Sequence, residues 1–217
     1  MSKRSDTPSE RLPANLAASD LSRPPEFSLE QRRILLRIAH EAILSGVERR
    51  ELADEPPTSP LLSERRGVFT TLYLKVEHLS KVRRELRGCV GYPEPIAALY
   101  RAVAETARAA AFDDSRFSPV TKEEASQLEV SLSVLSRLFP IHPDAVEVGR
   151  HGLVISRESH RGLLLPQVPV EFAWGRETFL EQPCRKAGLP VDCWRRDATI
   201  EAFTAEVFSD ADVEVPG

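Results

Sequence analysis

Residues 67–77 read GVFTTLYLKVE, and residues 82–90 read VRRELRGCV. The first run is dense in β-branched and aromatic side chains, which suit a pleated, half-buried surface, and it predicts a strand. The second predicts its partner, with a turn across residues 78–81. The pair ends in LRGCVGYPEP, residues 86–95, whose glycines and prolines predict that the chain leaves the sheet there and enters a helix.

Moving toward the C-terminus, that helix is expected from Pro95, which suits a first turn, to Phe112. Its buried stripe would be Ile96, Leu99, Tyr100, Val103, Ala107 and Ala110, the alanines implying close packing on a sheet. Residues 113–120, DDSRFSPV, read as a loop, and Thr121 with Glu124 as a capping box for a short helix. Val130, Leu132 and Val134 alternate with polar residues and predict a half-buried strand. Strands follow at 152–157 and 161–165, joined around His160. A helix over 174–187 is kinked by Pro183 and stopped by Gly188 and Pro190. Residues 198–208, ATIEAFTAEVF, read as one final strand.

Moving toward the N-terminus, residues 51–66 read as a long loop. Ser28 and Gln31 make a capping box for a helix whose apolar stripe runs from Ile34 to Ile43, with Gly46 as its stop. Residues 1–26 carry four prolines and predict a disordered tail. The organisation expected is a tail over 1–26, one domain over 27–210 and a short tail over 211–217. Helices mixed with recurrent hairpins favour an α+β fold, mainly antiparallel sheet flanked by helices, over a doubly wound sheet.

With 217 residues, of which 41% are apolar, the chain can bury a full core without metals or disulfides. Its 29 basic and 33 acidic residues leave a net charge of −4, which argues against a broad, nonspecific nucleic-acid binder. Three cysteines, Cys89, Cys184 and Cys193, without an apolar leader predict free thiols and a cytoplasmic protein. No apolar run is long enough to span a bilayer, so no membrane partner is expected.

From LRGCVG onward the chain resembles the AMMECR domain family, also called AmmeMemoRadiSam system protein A. GVFTTL at 67–72, DSRFSPV at 114–120, LEVSLSVL at 128–135 and RGLLLPQV at 161–168 fit the same pattern. Trp174, Phe179 with Leu180, KAGL at 186–189, Trp194 and the closing AEVF continue it, in order, across about residues 28–208. The resemblance implies a compact fold of two unequal, interlocked lobes. It also implies partnership with a Memo-like protein and a radical-SAM protein. It brings no established reaction, although nucleic-acid modification has been suggested for the family. Two departures stand out: Tyr92 occupies a place where small Thr-like residues are common, and Ser115 replaces a frequent proline.

Cys89 is the sharpest candidate. Gly88 and Gly91 would let the backbone take positive φ and present N–H groups as an anion-binding nest. Arg87, two residues away in extended chain, would share the face of the thiol and lower its pKa. Cys89 and Arg87 are therefore the candidate catalytic pair, with Gly88 and Gly91 as binding positions. The bland readings stand beside this one: a buried cysteine packed as a small apolar group, a β-bulge at the glycines, and Arg87 paired with a structural carboxylate.

Asp114 and Arg116 are further binding candidates, in a polar loop that could line a pocket or simply brace itself. Gln167 flanks a proline-rich turn, PQVPVEF, with Trp174 expected to close the core. The five histidines show no zinc-type spacing, so no metal site is expected, and no nucleotide cofactor motif is present. Three functions compete: a thiol-dependent modifying enzyme, a non-catalytic partner of Memo-like and radical-SAM proteins, and a less favoured nucleic-acid binder using Arg83, Arg84 and Arg87.

Overall fold

The structure, a computed structural model, describes residues 25–51, 55–78 and 81–213. The tail expected over 1–26 lies outside the described residues up to residue 24, as do 79–80 of the first turn and residues 214–217. Glu26, assigned to that tail, is held: its N–H donates to Glu206 at 2.6 Å, and the next residue, Phe27, is buried in the core.

The chain opens with α1 (Leu29–Glu48), followed by the hairpin β1 (Val68–His78) and β2 (Lys81–Tyr92). α2 (Leu99–Phe112), α3 (Lys122–Ala125) and β3 (Leu128–Leu135) complete the first pass through lobe one. Lobe two contains β4 (Phe139–Pro140), β5 (Gly152–Arg157), β6 (His160–Leu164), α4 (Gln167–Glu171), α5 (Arg176–Lys186) and β7 (Thr199–Phe203). The chain then returns to lobe one as β8 (Ala205–Ser209) and α6 (Asp210–Val213). The sheets run β2-β1-β3-β8 and β4-β7-β5-β6, with every pairing antiparallel. This is the α+β fold expected. Because β8 pairs with β3, the whole second lobe is an insertion between two neighbouring strands of the first, and this is what interlocks them.

Local chemistry accounts for most boundaries. Both capping boxes form, Ser28 with Gln31 and Thr121 with Glu124. Gly46 does not stop α1. The helix continues to Glu48 and ends on Arg49 in the left-handed region, with φ 53°. Gly46 instead admits the Phe112 ring, which would lie 2.3 Å from an added Cβ. α2 starts at Leu99 rather than Pro95, because Ala98 is taken by an isolated bridge to Arg65. Ile96 is consequently left 56% exposed, outside the stripe.

β3 is an inner strand with seven of its eight residues buried, not a half-buried one. The run 198–208 is two strands in different sheets, parted at Thr204. PQVPVEF forms α4 rather than a turn. Cys184 and Cys193 are disulfide-bonded, which corrects the expectation of free thiols. The last turn of α5 and the bend after Pro190 bring their Cα atoms to 6.3 Å. Cys89 alone is free.

Candidate functional site: a thiol beneath a capped sheet edge

Cys89 lies inside β2, not in a bend. Tyr73 pairs with Leu86 and Leu72 with Gly88, so one residue of β2, Arg87, has no counterpart on β1. This bulge breaks the alternation that would have aligned Arg87 with Cys89. The Arg87 guanidinium turns to Glu124 in a forked pair, with Nε to Oε1 at 2.9 Å and Nη2 to Oε2 at 3.0 Å. Glu124 is also the acid of the second capping box, and the Arg87 hydrogen bond holds its carboxyl below the usual range. Arg87 is thus a brace between β2 and α3, not the tuner of the thiol.

The loop after α2 supplies what Arg87 does not. β2 is an edge strand, and an edge exposes unpaired N–H and C=O groups. The Cys89 N–H donates to Asp114 Oδ2 at 2.8 Å, and Arg116 Nη2 donates to the Cys89 carbonyl at 3.3 Å. Arg116 also grips Asp114 with a fork, Nε to Oδ1 at 2.9 Å and Nη2 to Oδ2 at 2.7 Å. The pair does the work of one residue of a neighbouring strand. It brings the two sequence candidates, the Cys89 segment and the 113–116 loop, into one site. Arg116 first, then the Cys89 N–H, pull the Asp114 carboxyl down to about 2.

The thiol itself is shielded. Cys89 is 7% exposed, and burial pushes its pKa up; the Thr71 hydroxyl, 3.2 Å from Sγ, and the Arg116 charge only partly oppose this. At neutral pH it is a thiol rather than a thiolate. Neither Gly88 nor Gly91 takes positive φ; among the described glycines Gly149 and Gly188 do. Their missing side chains serve packing instead. A Cβ on Gly88 would sit 2.0 Å from the Ala110 carbonyl oxygen of α2, and one on Gly91 would meet the Phe69 ring. No anion nest forms there by the αR-αL route.

Sequence reasoning missed the rest of this face. Thr71 is paired with both Cys89 and Ser131, and Ser131 with Ser209, so these four side chains form one row across the sheet. In the next row Glu129, 4% exposed, stands opposite Tyr73 and lies 2.7 Å from Arg84 and 3.9 Å from Lys75. Arg84 also covers the Tyr73 ring at 4.3 Å. The Ser133 hydroxyl is buried without a hydrogen-bond partner. The alternation of LEVSLSVL, which predicts a half-buried strand, marks Glu129, Ser131 and Ser133 as sharing one face of β3. Of the three arginines of β2, Arg84 is engaged by Glu129 and Arg87 by Glu124.

Gln167 opens α4 in lobe two, with its Nε2 buried and unpartnered. No described contact joins it to Cys89. Trp174 does not close the core. It is half-buried and stacks on Phe172 at 5.0 Å and 18°. Phe172 is 56% exposed and Val170, two residues earlier, 60%. A cavity of about 990 Å³ is lined mostly by lobe one and the connections at the neck, another of about 260 Å³ lies between the lobes, and Cys89 lines neither. No helix among the described residues is long and apolar enough to cross a membrane.

Residues 36–208 match the AMMECR1 family. The chain is 42% identical over 189 residues to a protein of Thermococcus gammatolerans, covering 83% of this chain and 91% of that one. It is 39% identical over 200 residues to protein MK0488 of Methanopyrus kandleri, covering 88% and 94%. Among solved structures it is similar to the crystal structure of uncharacterized protein PH0010 from Pyrococcus horikoshii, with 42% identity and a TM-score of 0.58. That match covers 81% of this chain and 89% of that one.

Proposed function

The chain belongs to the AMMECR1 family, and from that premise we propose that it acts as a non-catalytic partner, docking through lobe two onto a Memo-like or radical-SAM protein. The stacked Phe172 and Trp174 carry this reading. They stand outside every buried cluster, and lobe two also exposes Val170, 60%, next to the Gly149 loop that carries Val148, 38% exposed. Aromatic anchors held rigid at a surface are the composition of an interaction hot spot. The expected result is that purified Memo-like or radical-SAM protein co-elutes with the native chain and with Cys89→Ser, but not with the double variant Phe172→Ala, Trp174→Ala. Failure of the native chain to retain either partner, or loss of binding on Cys89→Ser alone, overturns the proposal.

One observation favours a second reading, thiol-dependent modification at Cys89: the Arg116 guanidinium and Thr71 hydroxyl both lie at the cysteine. Such chemistry requires the buried Sγ to become reachable. Iodoacetamide then labels Cys89 in the native protein. Labelling only after denaturation removes this reading.

A further inference from the structure

The smaller interlobe cavity has a chemistry distinct from the rest of the molecule. Among its lining residues are Arg65, Arg66, Arg137 and Arg161, and none is acidic. This stands out in a chain whose net charge is −4. Phe203 and Leu163 add apolar wall. Lobe one supplies Arg65 and Arg66, lobe two supplies Arg161, and Arg137 comes from the connection between them.

Three of these arginines are braced by carboxylates outside the cavity lining. Arg66, 3% exposed, is held by Glu26 and Glu64 and donates to the Leu135 carbonyl at 3.3 Å. Arg137 reaches Glu64 at 2.6 Å and Arg161 reaches Glu94 at 2.5 Å. Arg65 has no side-chain partner among the described residues, while its backbone is fixed by the bridge to Ala98. Each guanidinium carries five N–H donors, so a brace that engages one or two leaves others for a ligand. The Arg137 and Arg161 pairs are well exposed, at 72% and 40% for the arginines. Pairs of that kind hold their partners weakly and yield to a better-placed anion.

We propose that this cavity binds a small organic phosphate: an anionic head on Arg65, Arg137 and Arg161, with a compact apolar body against Phe203 and Leu163. Guanidinium forks match phosphate oxygens in pairs. The volume of 260 Å³ restricts the body to something smaller than a drug-sized ligand.

The test uses the full-length chain at low salt, with calorimetric titration of inorganic phosphate, phenyl phosphate and phenol. Phenyl phosphate is expected to bind saturably, about tenfold tighter than phosphate, to weaken with added salt, and to leave phenol without measurable binding. Arg65→Ala and Arg161→Ala are each expected to lower its affinity about tenfold while ligand-free Tm stays within ~2 °C. Arg66 is left intact because its removal would strand two carboxylates. Sedimentation with phosphatidic-acid vesicles distinguishes a lipid head group from a soluble phosphate: vesicle binding lost on Arg65→Ala assigns the site to the lipid. Absence of saturable binding by every phosphate probe, or binding indifferent to both substitutions, overturns the proposal.

Discussion

Replacing Asp114 with Asn removes the charge of the edge cap while keeping its shape. The Asp114 side chain is 7% exposed and accepts from the Cys89 N–H and, at 3.2 Å, the Arg116 N–H as well as from the Arg116 guanidinium. Its carboxyl falls from an ordinary 3.8 to about 2 in the folded chain. At ~1.4 kcal/mol per pH unit, that difference sets a ceiling of ~2.5 kcal/mol on the charge's contribution. Arg116 is 37% exposed, and solvent screening of its half of the pair lowers the expectation to ~1–2 kcal/mol.

The sign follows from a depressed acid. The contribution is complete above the unfolded value and is lost as pH falls through the folded one. Urea titrations of the native chain and Asp114→Asn should therefore differ by ~1–2 kcal/mol at pH 7. The gap should hold to about pH 5, narrow from about pH 4 downward, and close near pH 2. A gap that persists unchanged at pH 2 would mean that Asn disrupts the loop sterically. A gap below ~0.3 kcal/mol at pH 7 would mean that the cap does not stabilise the edge at all.

Gly88→Ala forces a methyl against the Ala110 carbonyl, backbone on both sides, and is expected to cost ~3 kcal/mol, read as a fall in Tm of roughly 6–12 °C; an unchanged Tm would show that β2 and α2 are not in close approach. Replacing Cys184 and Cys193 together with Ala opens a loop of sequence separation 9, at an expected ~2–3 kcal/mol in denaturant titration; if reductant leaves the native chain's unfolding midpoint unmoved, the bridge is not formed. Arg87→Met should lower stability by ~1 kcal/mol yet leave the alkylation rate of Cys89 unchanged; a changed rate would restore Arg87 as the thiol's neighbour.

Where local chemistry was decisive, the fold was legible. Both capping boxes, the β1–β2 hairpin, the strands around His160 and the stop at Gly188 depend on residues a few places apart, and all are found. Several of the errors share one cause: partners distant in sequence. Gly46 looked like a helix stop because Phe112, which fills the space beside it, lies 66 positions away. LEVSLSVL alternates like a half-buried strand, but it lies between β1 and β8, and two of its three polar residues, Glu129 and Ser133, are buried. A β-bulge was weighed at the glycines, one residue from where it falls, and so was the pairing of Arg87 with a carboxylate. What the chain order could not reveal was that Asp114 and Arg116 would arrive at Cys89 from the far end of α2. The sequence reading assigned the thiol's cation to Arg87 and treated Arg116 as a separate site, whereas Arg116 is the one that reaches Cys89.

The insertion of lobe two also explains why the cavities lie where they do. The chain leaves lobe one after Leu135 and re-enters at Ala205, and these two crossings are stitched together. The Ser136 N–H donates to the Thr204 carbonyl at 2.8 Å, and the Thr204 N–H to Ser136 Oγ at 3.0 Å. Beside this neck, Phe69 and Leu135 of lobe one pack with Val154 and Phe203 of lobe two in a cluster separate from both main cores. Ser136 lines both cavities, so the neck forms a wall common to the two. Leu135 and Phe203 belong at once to that cluster and to the arginine-lined cavity. A phosphate drawing Arg65 and Arg161 together would therefore press on a contact shared by the two lobes. Lobe two also carries the Phe172–Trp174 stack, so a ligand at the neck is in a position to alter how that stack is presented to a partner.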